Sequence, residues 1–301
     1  MSVRSGPIPQ EIRALSSPAI KNVLIATDFS QCAENAISTA AGVARRFGAA
    51  VHILHVLGRE PRTARPTATS TLQRQCEEAL DRLRFLSRSE AFQHIVCHLI
   101  AQPGAVADVT AKLVDELGID LVVLGTHGRR GLEHLVVGSA AQEIMRRANC
   151  AVMTVGPHVY ERGIAAGAIG SIVYATDFST GSLRALEYAV AFARANCSRI
   201  IAFHAIPVPN AAIDSIMDMN EENRRVKEQL RQLVPSDINY EVAVCHGPAA
   251  DMILDIAGKQ RTDLIVMGAH AGGPASAHLP WATAHQVVSG AECPVLTVRA
   301  R

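Results

Sequence analysis

The sequence runs Gly125-Thr-His-Gly128, then nine further residues, then Gly138-Ser139 at the head of a helix-period segment that extends toward Asn149. Residues of these types at this spacing suit the binding of a phosphate. Gly128 permits φ > 0, and a turn rich in such residues aims successive backbone N–H groups into one concavity. Gly138-Ser139 would set that concavity against a helix N-terminus, whose unsatisfied N–H groups and dipole favour an anion. Arg129 and Arg130 add positive charge beside it. The same residues also admit a purely structural role, with the glycines making tight turns and Ser139 capping a helix. Neither G-x-x-x-x-G-K-[ST] nor G-x-G-x-x-G occurs, so the chain carries no P-loop lysine and no dinucleotide fingerprint.

A phosphate loop works only if a strand ends where it begins and a helix starts where it closes. In the first half of the chain, short β-branched or aliphatic runs at 22–27, 50–57, 94–100, 120–125 and 151–155 predict buried strands. Ala33, Ala36, Ile37, Ala40, Ala44 and Phe47 form an apolar stripe after Ser30, which is placed to cap that helix. Val106, Val109, Leu113, Val114 and Leu117 form another stripe after Gly104. Residues 59–70 read as irregular because Pro and Thr there oppose a helix, and 74–88 read as a charged, solvated helix. Strands alternating with helices predict a parallel sheet covered on both faces.

The scheme then repeats. Val23-Leu-Ile-Ala-Thr-Asp-Phe-Ser30 returns as Ile172-Val-Tyr-Ala-Thr-Asp-Phe-Ser179, and Leu54-His55-Val56 as Phe203-His204-Ala205, both at an offset of 149. Asp120-Leu-Val-Val-Leu-Gly125 returns as Asp263-Leu-Ile-Val-Met-Gly268, and the run 149–155 as 292–298, both at 143. Four blocks in one order establish a duplication that has lost six residues in its middle. The second copy should therefore place strands near 171–176, 199–206, 240–245, 263–268 and 295–298, with a charged helix over 221–232. This divides the chain into a leader at 1–20, a first domain at 21–156, a linker at 157–170 and a second domain at 171–301. The second phosphate loop is degraded: Gly268-Ala-His-Ala271 lacks its second glycine, and Trp281, best read with Pro280 as packing for the last helix, stands where the third should lie.

Composition narrows the classes of function. The 301 residues carry 29 Lys+Arg against 28 Asp+Glu, which removes the broad basic field of a non-specific nucleic-acid binder. No apolar run approaches the roughly 20 residues that cross a bilayer. Seven scattered cysteines without a C-x-x-C pair fit reduced thiols in a cytoplasmic protein. His52 and His55 lie three apart on a strand and point to opposite faces, so they cannot share a metal. His127 and His270 occupy matching loop positions and read as turn residues or as aids to phosphate chemistry. Cys150 and Cys293 read as buried structural thiols.

A strand ending in Ala26-Thr-Asp-Phe-Ser30, a strand ending in Leu54-His-Val56 and G-x2-G-x9-G-[ST] before the last helix together resemble the universal stress protein family. The resemblance covers about residues 20 to 300 and implies two tandem α/β units. Each would be a Rossmann-like open parallel five-stranded sheet in strand order 3-2-1-4-5, with helices on both faces. In that order strands 1 and 4 meet at the topological switch point, where ligands bind beyond the strand C-termini. The resemblance further implies an adenine nucleotide, ATP with Mg²⁺, held by the first domain. The adenosine contacts fall on Ala26, Thr27, Asp28 and Val56, and the ribose and phosphate contacts on Leu124, Gly125, Gly128, Gly138, Ser139 and Ala140, with Arg129 adding charge. Ala141 stands where some members carry a hydroxyl. Asp28 has an alternative as an Asx turn between strand and helix. Three functions follow: a nucleotide-dependent stress or signalling module with a protein partner, a slow ATPase, and a scaffold without nucleotide. The strands that close the two units should pair within one chain as a pseudo-twofold monomer, with further association into a homodimer left open.

Overall fold

The computed structural model describes residues 18–58, 68–126, 137–157, 159, 169–208, 216–269 and 282–300. In the first copy the described elements are β1 (Asn22–Ala26), α1 (Gln31–Phe47), β2 (Ala50–Leu57), α2 (Ala68–Ser87), β3 (Cys97–Pro103), α3 (Val106–Glu116), β4 (Leu121–Gly125), α4 (Ser139–Arg147) and β5 (Ala151–Val155). The second copy follows with β6 (Ser171–Ala175), α5 (Thr180–Asn196), β7 (Arg199–Ile206), α6 (Ile216–Leu233), β8 (Tyr240–His246), α7 (Ala249–Lys259), β9 (Leu264–Ala269), α8 (Ala282–Gly290) and β10 (Val295–Arg299).

The strands are ordered β3-β2-β1-β4-β5-β10-β9-β6-β7-β8 in one ten-stranded sheet. Each half has the expected 3-2-1-4-5 order and is parallel throughout. The two five-stranded sheets anticipated from the sequence are therefore halves of a single sheet. Their closing strands β5 and β10 pair antiparallel, with Val295 opposite Thr154, Leu296 opposite Met153 and Thr297 opposite Val152. A free edge at either strand would leave a row of backbone groups without partners, and this pairing satisfies both edges at once. Two buried threonines reinforce the seam reciprocally. The Thr154 hydroxyl donates to the Val295 carbonyl at 3.2 Å and the Thr297 hydroxyl to the Val152 carbonyl at 3.2 Å.

Strand side chains alternate, so each strand feeds two cores. Val23, Ile25, Val51 and Ile53 join Ala36, Ala40 and Leu83 under α1 and α2, and this core runs on into the second copy through Leu186, Val190 and Leu230 of α5 and α6. Leu24, Leu54, Val122 and Leu124 face the opposite way, against α3 and α4, in a core shared with α7 and α8. Phe47 and Phe192 meet edge to face across the two copies, with ring centroids 5.0 Å apart.

Helix boundaries follow local chemistry. Ser30 accepts the Ala33 N–H at 3.3 Å and Ser179 accepts the Ser182 N–H at 3.3 Å, so both copies use the capping serine of their repeated motif. Two segments differ from the sequence reading. The third strand is Cys97–Pro103 rather than 94–100, because a 3₁₀ turn at Glu90–Phe92 leads into His94 at φ 64 and postpones the extended backbone. The helix α2 begins at Ala68, inside the stretch read as irregular: nothing at 68–70 forbids a helix once the last proline, Pro66, is passed. Among the described residues no helix is long and apolar enough to cross a membrane.

Candidate functional site

The switch point of the first copy is built by three neighbouring strands. Ala26 of β1 lies opposite Leu54 of β2 on one side and Leu124 of β4 on the other. Ala26, Val56 and Leu124 share strand parity with Leu24 and Leu54, so they face the α3 and α4 side. Leu124 is buried there, and Val56 packs beside it half-buried. Gly125 ends β4 opposite Val155. Four of the anticipated contact residues are thus gathered at the strand C-termini by register alone.

The turn after β1 is held by its own side chains. Thr27 Oγ1 accepts the Phe29 N–H at 3.0 Å and Asp28 Oδ1 accepts the Ser30 N–H at 3.0 Å. These bonds hold Phe29 in the left-handed region at φ 60. The Asx-turn role of Asp28 is therefore present in the fold.

His55, which the sequence reading weighed only as a metal ligand, closes this turn. Its Nδ1 lies 2.7 Å from the Thr27 carbonyl, and since a carbonyl only accepts, Nδ1 carries the proton. Its ring also packs on Phe29 with centroids 4.6 Å apart, and the Arg82 guanidinium carbon lies over the Phe29 ring, 3.8 Å from its centroid. The second copy repeats the device: His204 Nδ1 lies 2.7 Å from the Thr176 carbonyl and its ring 4.9 Å from Phe178. The signal was legible in the sequence, since His55 and His204 recur at the 149 offset together with the turns they hold.

On the phosphate side, Gly138 occupies the N-cap position of α4 without a side-chain cap, and Ser139 opens the helix, exposed. The amides of Ser139, Ala140 and Ala141 fall in the first turn, where a helix supplies no acceptor of its own. The Gly138 N–H donates to the Thr126 carbonyl at 2.7 Å, tying the closing end of the loop to the end of β4. A Cβ on Gly138 would stand 3.3 Å from that carbonyl, so glycine suits the close approach. Gly128, Arg129 and His127, with His270, Ala271 and Trp281 of the second loop, lie outside the described residues.

The other candidates resolve structurally. Burial pushes the thiols of Cys150 and Cys293 up to about 12, as inert packing groups. His52 and His55 do point to opposite faces, and His52 stacks on His98 with centroids 4.8 Å apart. Among the described residues no group of three or more His, Cys, Asp or Glu could hold a metal ion.

Comparison with known proteins agrees with the duplication. The model of the universal stress protein family matches residues 19–156 and again 169–299. Universal stress protein A homolog 1 of Coxiella burnetii is 30% identical over 145 residues, which are 45% of this chain and 95% of that protein. A universal stress protein of Methanocaldococcus jannaschii is 27% identical over 141 residues, 45% of this chain and 81% of its own length. Among solved structures, a universal stress protein from Archaeoglobus fulgidus is alike in fold over 95% of this chain and 98% of its own, with a TM-score of 0.67 at 16% identity.

Proposed function

We propose that this chain, which belongs to the universal stress protein family, binds one ATP in its first copy and acts in the cytoplasm as a module whose nucleotide occupancy changes its affinity for a protein partner. The observation that carries the reading is the convergence of two unlike surfaces at one switch point. An apolar shelf of Ala26, Val56 and Leu124 lies on the face covered by α3 and α4, and the uncapped first turn of α4 opens on the same side. A flat apolar base and a polyanionic tail call for such a pair. Val56 would pack on the base, and Asp28 with the Thr27 backbone would meet the nucleoside. Gly125, Gly128, Gly138, Ser139 and Ala140 would receive ribose and phosphate oxygens on backbone N–H groups, with Ser139 adding its hydroxyl and Arg129 its charge. This donor set is largely neutral, so Mg²⁺ would be held mostly by phosphate oxygens and water.

Titration calorimetry of the full chain with ATP and Mg²⁺ tests the reading. One site per chain is expected, weakened about tenfold or more by Gly138→Val, whose branched side chain meets the Thr126 carbonyl while the strands remain intact. Absence of binding, or two equivalent sites, would overturn it.

A further inference from the structure

Gln142 on α4 and His285 on α8 are equivalent positions of the two copies, since 285 − 142 = 143, the offset of the blocks on either side of them. They touch. Gln142 Nε2 lies 2.8 Å from the Val137 carbonyl and 3.1 Å from His285 Nε2. A carbonyl cannot donate, so the Gln142 atom facing Val137 must be the amide nitrogen. Its second N–H then points to His285, whose Nε2 must present a lone pair, with the ring proton on Nδ1. The direction of the relay is thereby fixed: His285 accepts from Gln142, and Gln142 donates to the carbonyl immediately before Gly138.

The position of this contact follows from the symmetry of the seam. Met153 and Leu296, also 143 apart, face each other across β5 and β10, so the pseudo-twofold axis passes through that pair. Equivalent residues meet only along such an axis. Two identical glutamines could also pair there, but each amide could then turn to serve either partner. The Gln–His pair is unsymmetrical, and the glutamine stands in the copy that keeps the intact glycine motif. Its helix begins one residue after Gly138, whose N–H is already tied to Thr126 at 2.7 Å. Val137 is itself 1% exposed in the core, and its carbonyl lies immediately before the first turn of α4.

We infer that His285 of the second copy is a positioning residue for the phosphate cradle of the first, acting through Gln142 on the Val137 carbonyl. The inference rests on the nucleotide reading for its functional consequence and on the described contacts alone for its structural one. It gives the second copy, whose own loop is degraded, a part in the site of the first.

Two measurements on the full chain test it. His285→Leu should weaken ATP binding by about three- to tenfold, the span of one lost hydrogen bond, and Gln142→Leu by a similar factor. The double variant should be no weaker than the worse single, because both break one relay. His285→Gln, which keeps an acceptor, should restore most of the affinity. A role in stability alone would not give this rescue together with non-additivity. Hydrogen exchange of the ligand-free protein should show faster exchange at the amides of Gly138 and Gln142 in His285→Leu and near-normal exchange in His285→Gln. If the wild-type chain binds ATP and His285→Leu binds equally well, the inference fails. If the wild-type chain binds no ATP, the functional reading fails, and exchange decides the relay: unchanged protection in His285→Leu overturns it, and increased exchange supports it.

Discussion

A Cβ placed on Gly268 would lie 2.5 Å from the backbone nitrogen of Ser182 and 2.8 Å from the backbone carbon of Gly181. The first turn of α5 is thus pressed directly onto β9, where it is clamped by the buried Tyr174 hydroxyl donating to the Ser182 carbonyl at 2.8 Å. This explains why the second loop keeps the first glycine of a motif whose other glycines it has lost. The residue serves helix packing, and a phosphate is not needed to account for it.

Gly268→Ala is accordingly expected to destabilise the fold by about 1–3 kcal/mol, because backbone rather than a flexible side chain obstructs the new methyl group. The urea midpoint should fall while nucleotide stoichiometry stays unchanged. An unaltered midpoint would show that α5 can retreat without cost.

Much of this organisation was legible in the sequence, and the failures have physical causes. The repeat offsets gave the duplication, the family resemblance implied the strand order within each unit, and the aliphatic runs at 50–57 and 151–155 coincide with β2 and β5. Ser30 and Ser179 cap as their types and places suggest. The pairing of the closing strands follows from the cost of unpaired edges, and the single continuous sheet is its consequence. The early start placed on β3 came from reading Ile95 and Val96 as strand, when a local turn with His94 at positive φ decides the backbone there. His55 was missed because strand parity excludes a metal partner but says nothing of a carbonyl one turn away. The Gln142–His285 contact could not be found from sequence, since equal offsets mark equivalence and only the fold shows which equivalent residues lie on the axis.

His52 gives a pH dependence with a definite sign. Its Nε2 lies 3.4 Å from Asn22 Oδ1, and the same amide's Nδ2 donates to the Gly118 carbonyl, so Nε2 carries the proton. Nδ1 is buried without a hydrogen-bond partner among the described residues. Burial first, and the neighbouring His98 second, lower its pKa from the ordinary 6.5. The unfolded chain therefore takes up this proton at higher pH than the folded one. Stability from His52 is complete above about 6.5 and declines as pH falls below it toward the depressed folded value. His52→Leu should flatten the fall in urea midpoint between about pH 6.5 and pH 5 relative to wild type. Parallel pH profiles for the two proteins would refute this assignment.

Cys197 ends α5 in the left-handed region at φ 55, where the first copy has Gly48 at φ 66. A side chain there costs about 1 kcal/mol relative to glycine. Cys197→Gly should therefore raise stability by roughly 0.5–1 kcal/mol, the gain being reduced by the greater freedom glycine gives the unfolded chain. It should also remove a readily alkylated thiol, because Cys197 is exposed whereas Cys150 and Cys293 are held near 12. Peptide mapping after brief native alkylation at pH 8 checks the second expectation and thermal melting the first. A lower melting temperature in the variant would contradict the strain.

The seam makes a prediction about cooperativity. Leu296 is fully buried opposite Met153, the central pair of the β5–β10 register, and both cores continue from one copy to the other beneath and above it. Units that share a sheet and two cores should unfold together. The chain has one tryptophan, Trp281, so its fluorescence reports on the second copy while far-ultraviolet circular dichroism reports on both. The two unfolding curves should coincide in the wild-type chain. In Leu296→Asp a carboxylate is placed between apolar strands with no partner there, a change that costs several kcal/mol. With the seam broken on the β10 side, the tryptophan curve should shift to lower denaturant and separate from the dichroism curve. Curves that already separate in the wild-type chain would show that the seam does not couple the two halves.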